Sequence, residues 1–237
     1  MPTSNQVIVI PVLGDNFAYL YRYDEDNAIA FDCGDCDAVL HVLEKNNLNL
    51  SALLITHNHF DHTAGAKELK KKTGCALITT GKTVNDGDVL SFGNENIRVI
   101  ATPGHTASSV CFYRQPSDTD KQGYLFTGDT LFAGGCGRIF ECSAATMHQS
   151  LQKLAALPPD TLVYPGHDYT LENYQFAGET EYANEIIKQR LADIIRLHQQ
   201  GKPLIPSTIE MERKTNVFLL AKTDKDFAAL RKRKDRF

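Results

Sequence analysis

The chain has 237 residues, 42% of them hydrophobic and 23% charged, with a formal net charge of −4. That length suits one large domain or a domain with a small appendage, and the acidic balance gives no general attraction to nucleic acid or to anionic membranes. No apolar run reaches the ~20 residues a membrane helix needs, and no basic region precedes the short apolar stretch near the start, so a cytoplasmic protein is expected.

Nine short segments read as strands: QVIVIPV, FAYLYRY, AIAFD, ALLIT, CALITT, IRVIAT, SVCFYR, YLFTG and TLVYPG. Each is strand-length and rich in β-branched or aromatic residues. Helices fit from about 37 to 47, from after His62 to Gly74, and from after Ser143 to Leu157. The last carries Met147, Leu151, Leu154 and Leu157 on one face. From 171 to 200 the pattern is helical, with Ile186, Ile187, Leu191, Ile194 and Ile195 at core-facing spacing and Gly201 as a stop. KPLIPS reads as a linker turn, and FAALRKRKDRF as a short helix with a basic finish. The mixture predicts an α/β (α+β) sheet sandwich flanked by helices rather than a βαβ repeat.

There are six cysteines, at 33, 36, 75, 111, 136 and 142. Cys33 and Cys36 form a C-x-x-C, but no second such pair completes a four-cysteine zinc site. Reduced structural residues are expected.

The stretch HNHFDH places His57, His59, Asp61 and His62 directly after the apolar run ALLIT. His57 and His59 point the same way in an extended segment, while Asp61 and His62 fall where a helix begins. The segment offers two groups of metal ligands, which two neighbouring ions would use. One zinc wants three or four N or O ligands, so further donors are needed. His105 follows a strand and a Pro-Gly turn. Asp129 follows a strand and a glycine. His167 follows a strand and another Pro-Gly turn. Any one of these alone reads as an ordinary surface or turn residue. The repeated layout of strand, turn, then ligand reverses that reading. His41 and His148 sit inside predicted helices without partners and His198 near a helix end, so all three are set aside.

In this order H-x-H-x-D-H, TPGHT, GDTLF and PGH resemble the metallo-β-lactamase superfamily. FTGDTLFAGGCGRIFE, YPGHDYT and RKRKDRF resemble its glyoxalase II, or hydroxyacylglutathione hydrolase, family over nearly the whole chain. The resemblance implies an αβ/βα sandwich over residues 1–168 and a helical C-terminal domain over 169–237 that helps bind a glutathione thioester. It implies one metal on His57, His59 and His105, a second on Asp61, His62 and His167, and Asp129 bridging both. Two divalent ions are expected, zinc first, with iron or manganese also suited to mixed His and Asp ligation. A carboxylate can span two cations ~3.5–4 Å apart, and such a pair lowers the pKa of a shared water enough to give hydroxide at neutral pH.

The implied reaction is hydrolysis of S-(2-hydroxyacyl)glutathione, typically S-lactoylglutathione, in methylglyoxal detoxification, with Asp61 and Asp129 in catalytic positions. Arg138, Phe140, Tyr169, Arg231 and Lys234 match substrate-contact positions. Phe140 departs from the tyrosine that relatives often carry, so a hydroxyl contact is lost. The partner is this small molecule, with neither nucleic acid nor membrane, and a monomer is expected. The competing readings are a mono-iron persulfide dioxygenase of the same fold, a β-lactamase, a nuclease, and a non-catalytic glutathione- or RNA-binding module. The complete second ligand set and the basic segment after residue 230 weigh against them.

Overall fold

The computed structural model describes residues 6–81, 83–117 and 120–237. In chain order the first half contains β1 (Val7–Val12), β2 (Asn16–Arg22), β3 (Asn27–Phe31), α1 (Cys36–Lys45), β4 (Asn49–Ile55), α2 (Phe60–Thr63), α3 (Ala66–Thr73) and β5 (Ala76–Thr79). Its strands form a sheet in the order β1-β2-β3-β4-β5, antiparallel up to β3 and parallel from β3 to β5. Next come β6 (Val89–Phe92), β7 (Glu95–Ala101), β8 (Val110–Arg114), β9 (Tyr124–Gly128), the short hairpin β10 (Leu131–Phe132) and β11 (Gly135–Cys136), α4 (Ala144–Ala155) and β12 (Leu162–Pro165). The chain continues through α5 (Thr170–Gly178), α6 (Glu185–Gln199), β13 (Ser207–Thr208), α7 (Ile209–Thr215), α8 (Val217–Leu220) and α9 (Asp224–Lys234). The second sheet runs β13-β12-β9-β8-β7-β6.

The period of two along the central strands sorts side chains into separate cores. In β4, Ala52 and Leu54 join the cluster between the sheets, while Leu53 and Ile55 face α1 and α3. In β8, Val110 and Phe112 enter the same inter-sheet cluster, and Cys111 and Tyr113 face α4. Phe31 and Phe126 stack across the sheets, their ring centroids 3.6 Å apart. The layers are therefore helix, sheet, sheet, helix, as the sequence predicts. Residues of α7, α8 and α9 share the core of α4 and the second sheet: Ile209, Val217, Phe218, Phe227 and Leu230 pack with Met147, Leu151 and Leu154.

Strand direction prepares the site. β7 is antiparallel to β8, β8 is antiparallel to β9, and β9 is parallel to β12. β7, β9 and β12 thus run the same way and release the chain at one rim. The segments carrying His105, Asp129 and His167 follow these three ends.

Several expectations change. The helical pattern from 171 to 200 is interrupted between Gly178 and Glu185, where Asn184 caps α6 by accepting from the Ile187 backbone N–H. Ile186 and Ile195 are exposed, 52% and 38%, while Ile187 and Ile194 are buried. A break resets the phase of the apolar stripe, so the face that a single helix would bury is not the face of α6. Leu204 and Ile205, in the predicted linker turn, are buried. His148 has a partner: its Nδ1 lies 2.8 Å from Asp224 Oδ1, and its ring stacks on Phe227. Val89–Phe92, outside the predicted strands, forms a hairpin with β7.

Candidate metal centre

β4 ends at Ile55, and Thr56 leads straight into the ligand run. Thr56 is fixed by Asp32, whose Oδ1 accepts from the Thr56 backbone N–H and whose Oδ2 accepts from Thr56 Oγ1, both at 2.8 Å. The turn into α2 then separates the four ligands into two directions. His57 Nε2 lies 3.2 Å from His59 Nδ1, and His59 Nδ1 lies 2.9 Å from His105 Nε2. On the other side His62 Nε2 and His167 Nε2 lie 3.5 and 3.4 Å from Asp61 Oδ2.

Asp129 stands between the two sets. Its Oδ1 is 3.3 Å from His62 Nε2, and its Oδ2 is 3.4 Å from both His105 Nε2 and His167 Nε2 and 4.0 Å from His57 Nε2. Glycines make this crowding possible. Gly128 has φ +46°, and a Cβ there would sit 2.3 Å from Thr56 Oγ1. A Cβ on Gly166 would sit 2.5 Å from Asp129 Oδ1. The structure brings all seven predicted ligands together.

Their arrangement fits metal ions. His57, His59 and His105 place ligand atoms within 4.8 Å of one another, as do Asp61, His62 and His167, and as do His57, His62 and Asp129. His62 Nε2 and Asp129 Oδ1 are buried and make no hydrogen bond. Buried polar atoms of this kind are costly unless a partner such as a cation meets them. The second nitrogens of two of these histidines are engaged. His62 Nδ1 donates to Asp32 Oδ2 at 2.8 Å, and His105 Nδ1 donates to the Arg138 carbonyl at 2.8 Å. Such contacts fix the tautomer and leave Nε2 free to bind a metal. Asn16 Nδ2 donates to Asp61 Oδ2 at 2.8 Å.

Charge is divided unevenly across the cluster. Burial, and then the positive charge of His62, hold His57 well below the ordinary imidazole pKa. Burial likewise lowers His105. For His62 burial acts in the same sense, but Asp32 and Asp129 outweigh it and raise the group well above its ordinary value. His167 is raised by Asp129 against burial. Burial opposes charge on Asp129, yet His167 and His62 hold its carboxyl well below the usual range. A divalent cation would displace the protons that these imidazoles otherwise share with the carboxylates.

The cluster opens into a cavity of about 440 Å³ whose lining includes Arg138, Phe140, Tyr169, Arg231 and Lys234 as well as the candidate ligands His59 and His167. The structure therefore gathers the predicted substrate-contact residues at the ligand cluster. Tyr169 stacks on His167 with ring centroids 4.9 Å apart. Phe140 sets its edge against His59 and His105. Glu172 and Asn173 also line the cavity and were not anticipated. Nor were Asp32 and Asn16. Asp32 had a readable signal, since it ends AIAFD in the same strand-then-acid layout as Asp129. Asn16 carried none.

A four-layer sandwich with seven His and Asp side chains clustered where the rims of the two sheets meet is the architecture of the metallo-β-lactamase superfamily, whose model matches residues 12–83 and 78–167. A model described as the hydroxyacylglutathione hydrolase C-terminus matches residues 168–237. Hydroxyacylglutathione hydrolase of Chromohalobacter salexigens is 42% identical over 222 residues, covering 90% of this chain and 86% of the relative. That of Aeromonas hydrophila is 41% identical, covering 92% and 87%. The chain belongs to the hydroxyacylglutathione hydrolase family. Among solved structures, ETHE1 from Myxococcus xanthus superimposes with a TM-score of 0.70 at 25% identity, covering 92% of this chain and 85% of that one. A metallo-β-lactamase from Staphylococcus aureus shares the fold with a TM-score of 0.69 at 19% identity, covering 97% and 73%.

Proposed function

We propose that the chain hydrolyses S-(2-hydroxyacyl)glutathione thioesters, S-lactoylglutathione foremost, to a 2-hydroxy acid and glutathione. The observation that carries this reading is one cavity lined both by the candidate ligands His59, Asp61, His105, Asp129 and His167 and by Arg138, Arg231 and Lys234. Glutathione presents two carboxylates, and charge-assisted contacts suit them.

His57, His59 and His105 would hold one divalent ion, and Asp61, His62 and His167 a second, with Asp129 facing both. Zinc is the first expectation, iron and manganese the others. Bound there, such ions supply Lewis acidity and make a water acidic enough to attack a carbonyl at neutral pH. The protein's own groups do the rest. Asp129 holds the two histidine sets at one spacing. Asp61, oriented by Asn16 Nδ2, is placed to accept a hydrogen bond from the attacking water. Tyr169, stacked on His167, and Arg138 face the peptide part of the substrate. Phe140 covers His59 and His105 with an apolar ring and limits access of bulk water.

The reading divides the chain into a catalytic part over 1–168 and a helical part over 169–237 that supplies Tyr169, Arg231 and Lys234. No helix among the described residues is long and apolar enough to cross a membrane. Free cysteines, five of them buried, support a reducing, cytoplasmic setting. A monomer is the simplest assembly for a site built within one chain.

The test pairs metal analysis with kinetics on S-lactoylglutathione and on a small thioester lacking the tripeptide. The expected result is two ions per chain and a strong preference for the glutathione thioester. Equal kcat/KM for both substrates would remove the glutathione assignment. Full activity with one bound ion would remove the second site.

A further inference from the structure

Three of the candidate ligand histidines have the far ring nitrogen engaged. His57 Nδ1 lies 3.1 Å from Thr56 Oγ1, His62 Nδ1 2.8 Å from Asp32 Oδ2, and His105 Nδ1 2.8 Å from the Arg138 carbonyl. His167 differs. Its Nδ1 is buried and, among the described residues, makes no hydrogen bond. Asp15 Oδ1 stands 3.5 Å from it, within ion-pair reach but too far for a good hydrogen bond. A buried ring N–H without an acceptor is costly, and this carboxylate is placed to relieve it.

The backbone holds Asp15 at that spot. Leu13 and Gly14, with φ of +53° and +99°, turn β1 into β2. Just past the turn, Asn16 and His167 form an isolated antiparallel bridge. The Phe17 backbone N–H donates to the Gly166 carbonyl at 2.8 Å, and the Asp168 backbone N–H to the Asp15 carbonyl at 3.4 Å. A turn of the first sheet is thereby stitched to a ligand segment of the second. The neighbouring side chain, Asn16, donates to Asp61 Oδ2 at 2.8 Å. Consecutive residues of one turn thus address Asp61 and His167, both members of the second candidate set. Tyr169 stacks on the His167 ring at 4.9 Å, which confines the plane of the ring but leaves rotation within that plane free. That rotation is what aims Nε2.

We propose that Asp15 is a positioning residue for the second candidate set alone: it accepts a hydrogen bond from His167 Nδ1, which keeps Nε2 unprotonated and aimed at the ion that Asp61, His62 and His167 would share. This rests on the two-ion reading above. A carboxylate at the far nitrogen of a ligating imidazole fixes its tautomer and raises its basicity, so the ion beside it is held more tightly. The first set, His57, His59 and His105, gains nothing from this contact.

The experiment strips the protein of metal and titrates it with zinc against a chromophoric chelator, for the unaltered chain, Asp15→Ala and Asp15→Asn. The Asp15 side chain is 57% exposed, so its removal opens no cavity, and the urea midpoint of the metal-free protein should be the same in all three. The unaltered chain is expected to take two ions. Asp15→Ala should weaken one of them about tenfold and leave the other unchanged. Asp15→Asn keeps an acceptor oxygen without the charge and should fall between. In a His59→Ala background, which breaks the first set, Asp15→Ala should cost the remaining ion the same factor. Two ions of unaltered affinity in Asp15→Ala overturn the role of Asp15 alone. Equal weakening of both ions, or a lowered urea midpoint, makes the turn merely structural and overturns it as well. A single ion in the unaltered chain overturns the two-ion reading and this inference with it.

Discussion

His62 Nδ1 donates to Asp32 Oδ2 at 2.8 Å, and the same carboxylate holds the backbone and hydroxyl of Thr56. One buried acid just past the end of β3 therefore sets both the tautomer of a candidate ligand and the path of the run from His57 to His62. Asp32→Asn offers an amide N–H to Nδ1 and moves the ring proton to Nε2, the atom that faces Asp129. Metal affinity should fall by about 10–100-fold. Competition with a chelator, on protein whose circular dichroism is unchanged, measures this. Unaltered affinity would show that Asp32 only shapes the loop.

Asp129→Ala should reduce both ion occupancy and turnover, because each histidine set lies within 4.0 Å of this carboxylate. Metal per chain and thioester turnover are the measurements. Loss of one ion with the other fully retained would mean that Asp129 serves a single set.

Cys33 and Cys36 should be dispensable for turnover. Burial pushes the Cys33 thiol up to about 12, so no thiolate is available at neutral pH. Cys33 also packs in the apolar cluster under α1 and α3. The double Ser variant should keep its turnover within tenfold while losing about 1–3 kcal/mol of stability from a buried hydroxyl. A larger loss of turnover, with fold and metal content intact, would give these cysteines a part in the reaction.

Arg231 and Lys234 should separate experimentally. Arg231 packs over Phe218 at 5.0 Å and ties α9 to the β11 carbonyl of Cys136. Arg231→Ala should cost about 1–3 kcal/mol in denaturant unfolding as well as raise KM. Lys234→Ala should raise KM for the glutathione thioester about tenfold, with kcat and stability little changed. Equal loss on a thioester without the tripeptide would make α9 structural only.

Glu212 makes stability pH-dependent. It is buried and accepts from Ser207 Oγ, Asn216 Nδ2 and the Gly134 backbone N–H. Burial raises its pKa above the ordinary 4.5 in spite of those bonds. The folded state therefore binds this proton more tightly than the unfolded chain, and the contribution is present below 4.5 and lost as pH rises through the raised value. Glu212→Gln can keep the three contacts, its amide nitrogen donating to Ser207 Oγ. Urea unfolding from pH 5 to 8 should show the unaltered protein losing stability relative to the variant as pH rises. Parallel curves would refute this.

The cluster was legible because the chain writes four of its His and Asp side chains within six positions and repeats a strand, a turn and then a His or Asp for the others. A sheet rim turns that linear grammar into proximity, since β7, β9 and β12 share a direction. Asp32 was written in the strand-then-acid layout of AIAFD and was passed over, whereas Asn16 escaped because a hydrogen bond to a side chain of the cluster leaves no periodic trace. Glu172 escaped for a similar reason: beside Thr170 and Asn173 it reads as an ordinary first-turn acid of a helix. The break before α6 was written in Thr180 and Asn184, but continued apolar spacing beyond it favoured one long helix. β6 and the β10–β11 hairpin are too short, or too exposed, to alternate clearly.

His57, His59, Asp61 and His62 hang from the five-stranded sheet, whereas His105, Asp129 and His167 hang from the six-stranded one. The centre thus straddles the seam of the sandwich, and ions held there would act as rivets between two slabs that also meet through aromatic and aliphatic packing and through backbone hydrogen bonds such as Phe17 N–H to the Gly166 carbonyl. Stripping them should do more than silence chemistry. It should let the slabs part more often at that rim, so that amides at the ends of β4 and β9 exchange with solvent faster while the far ends of the same strands keep their protection.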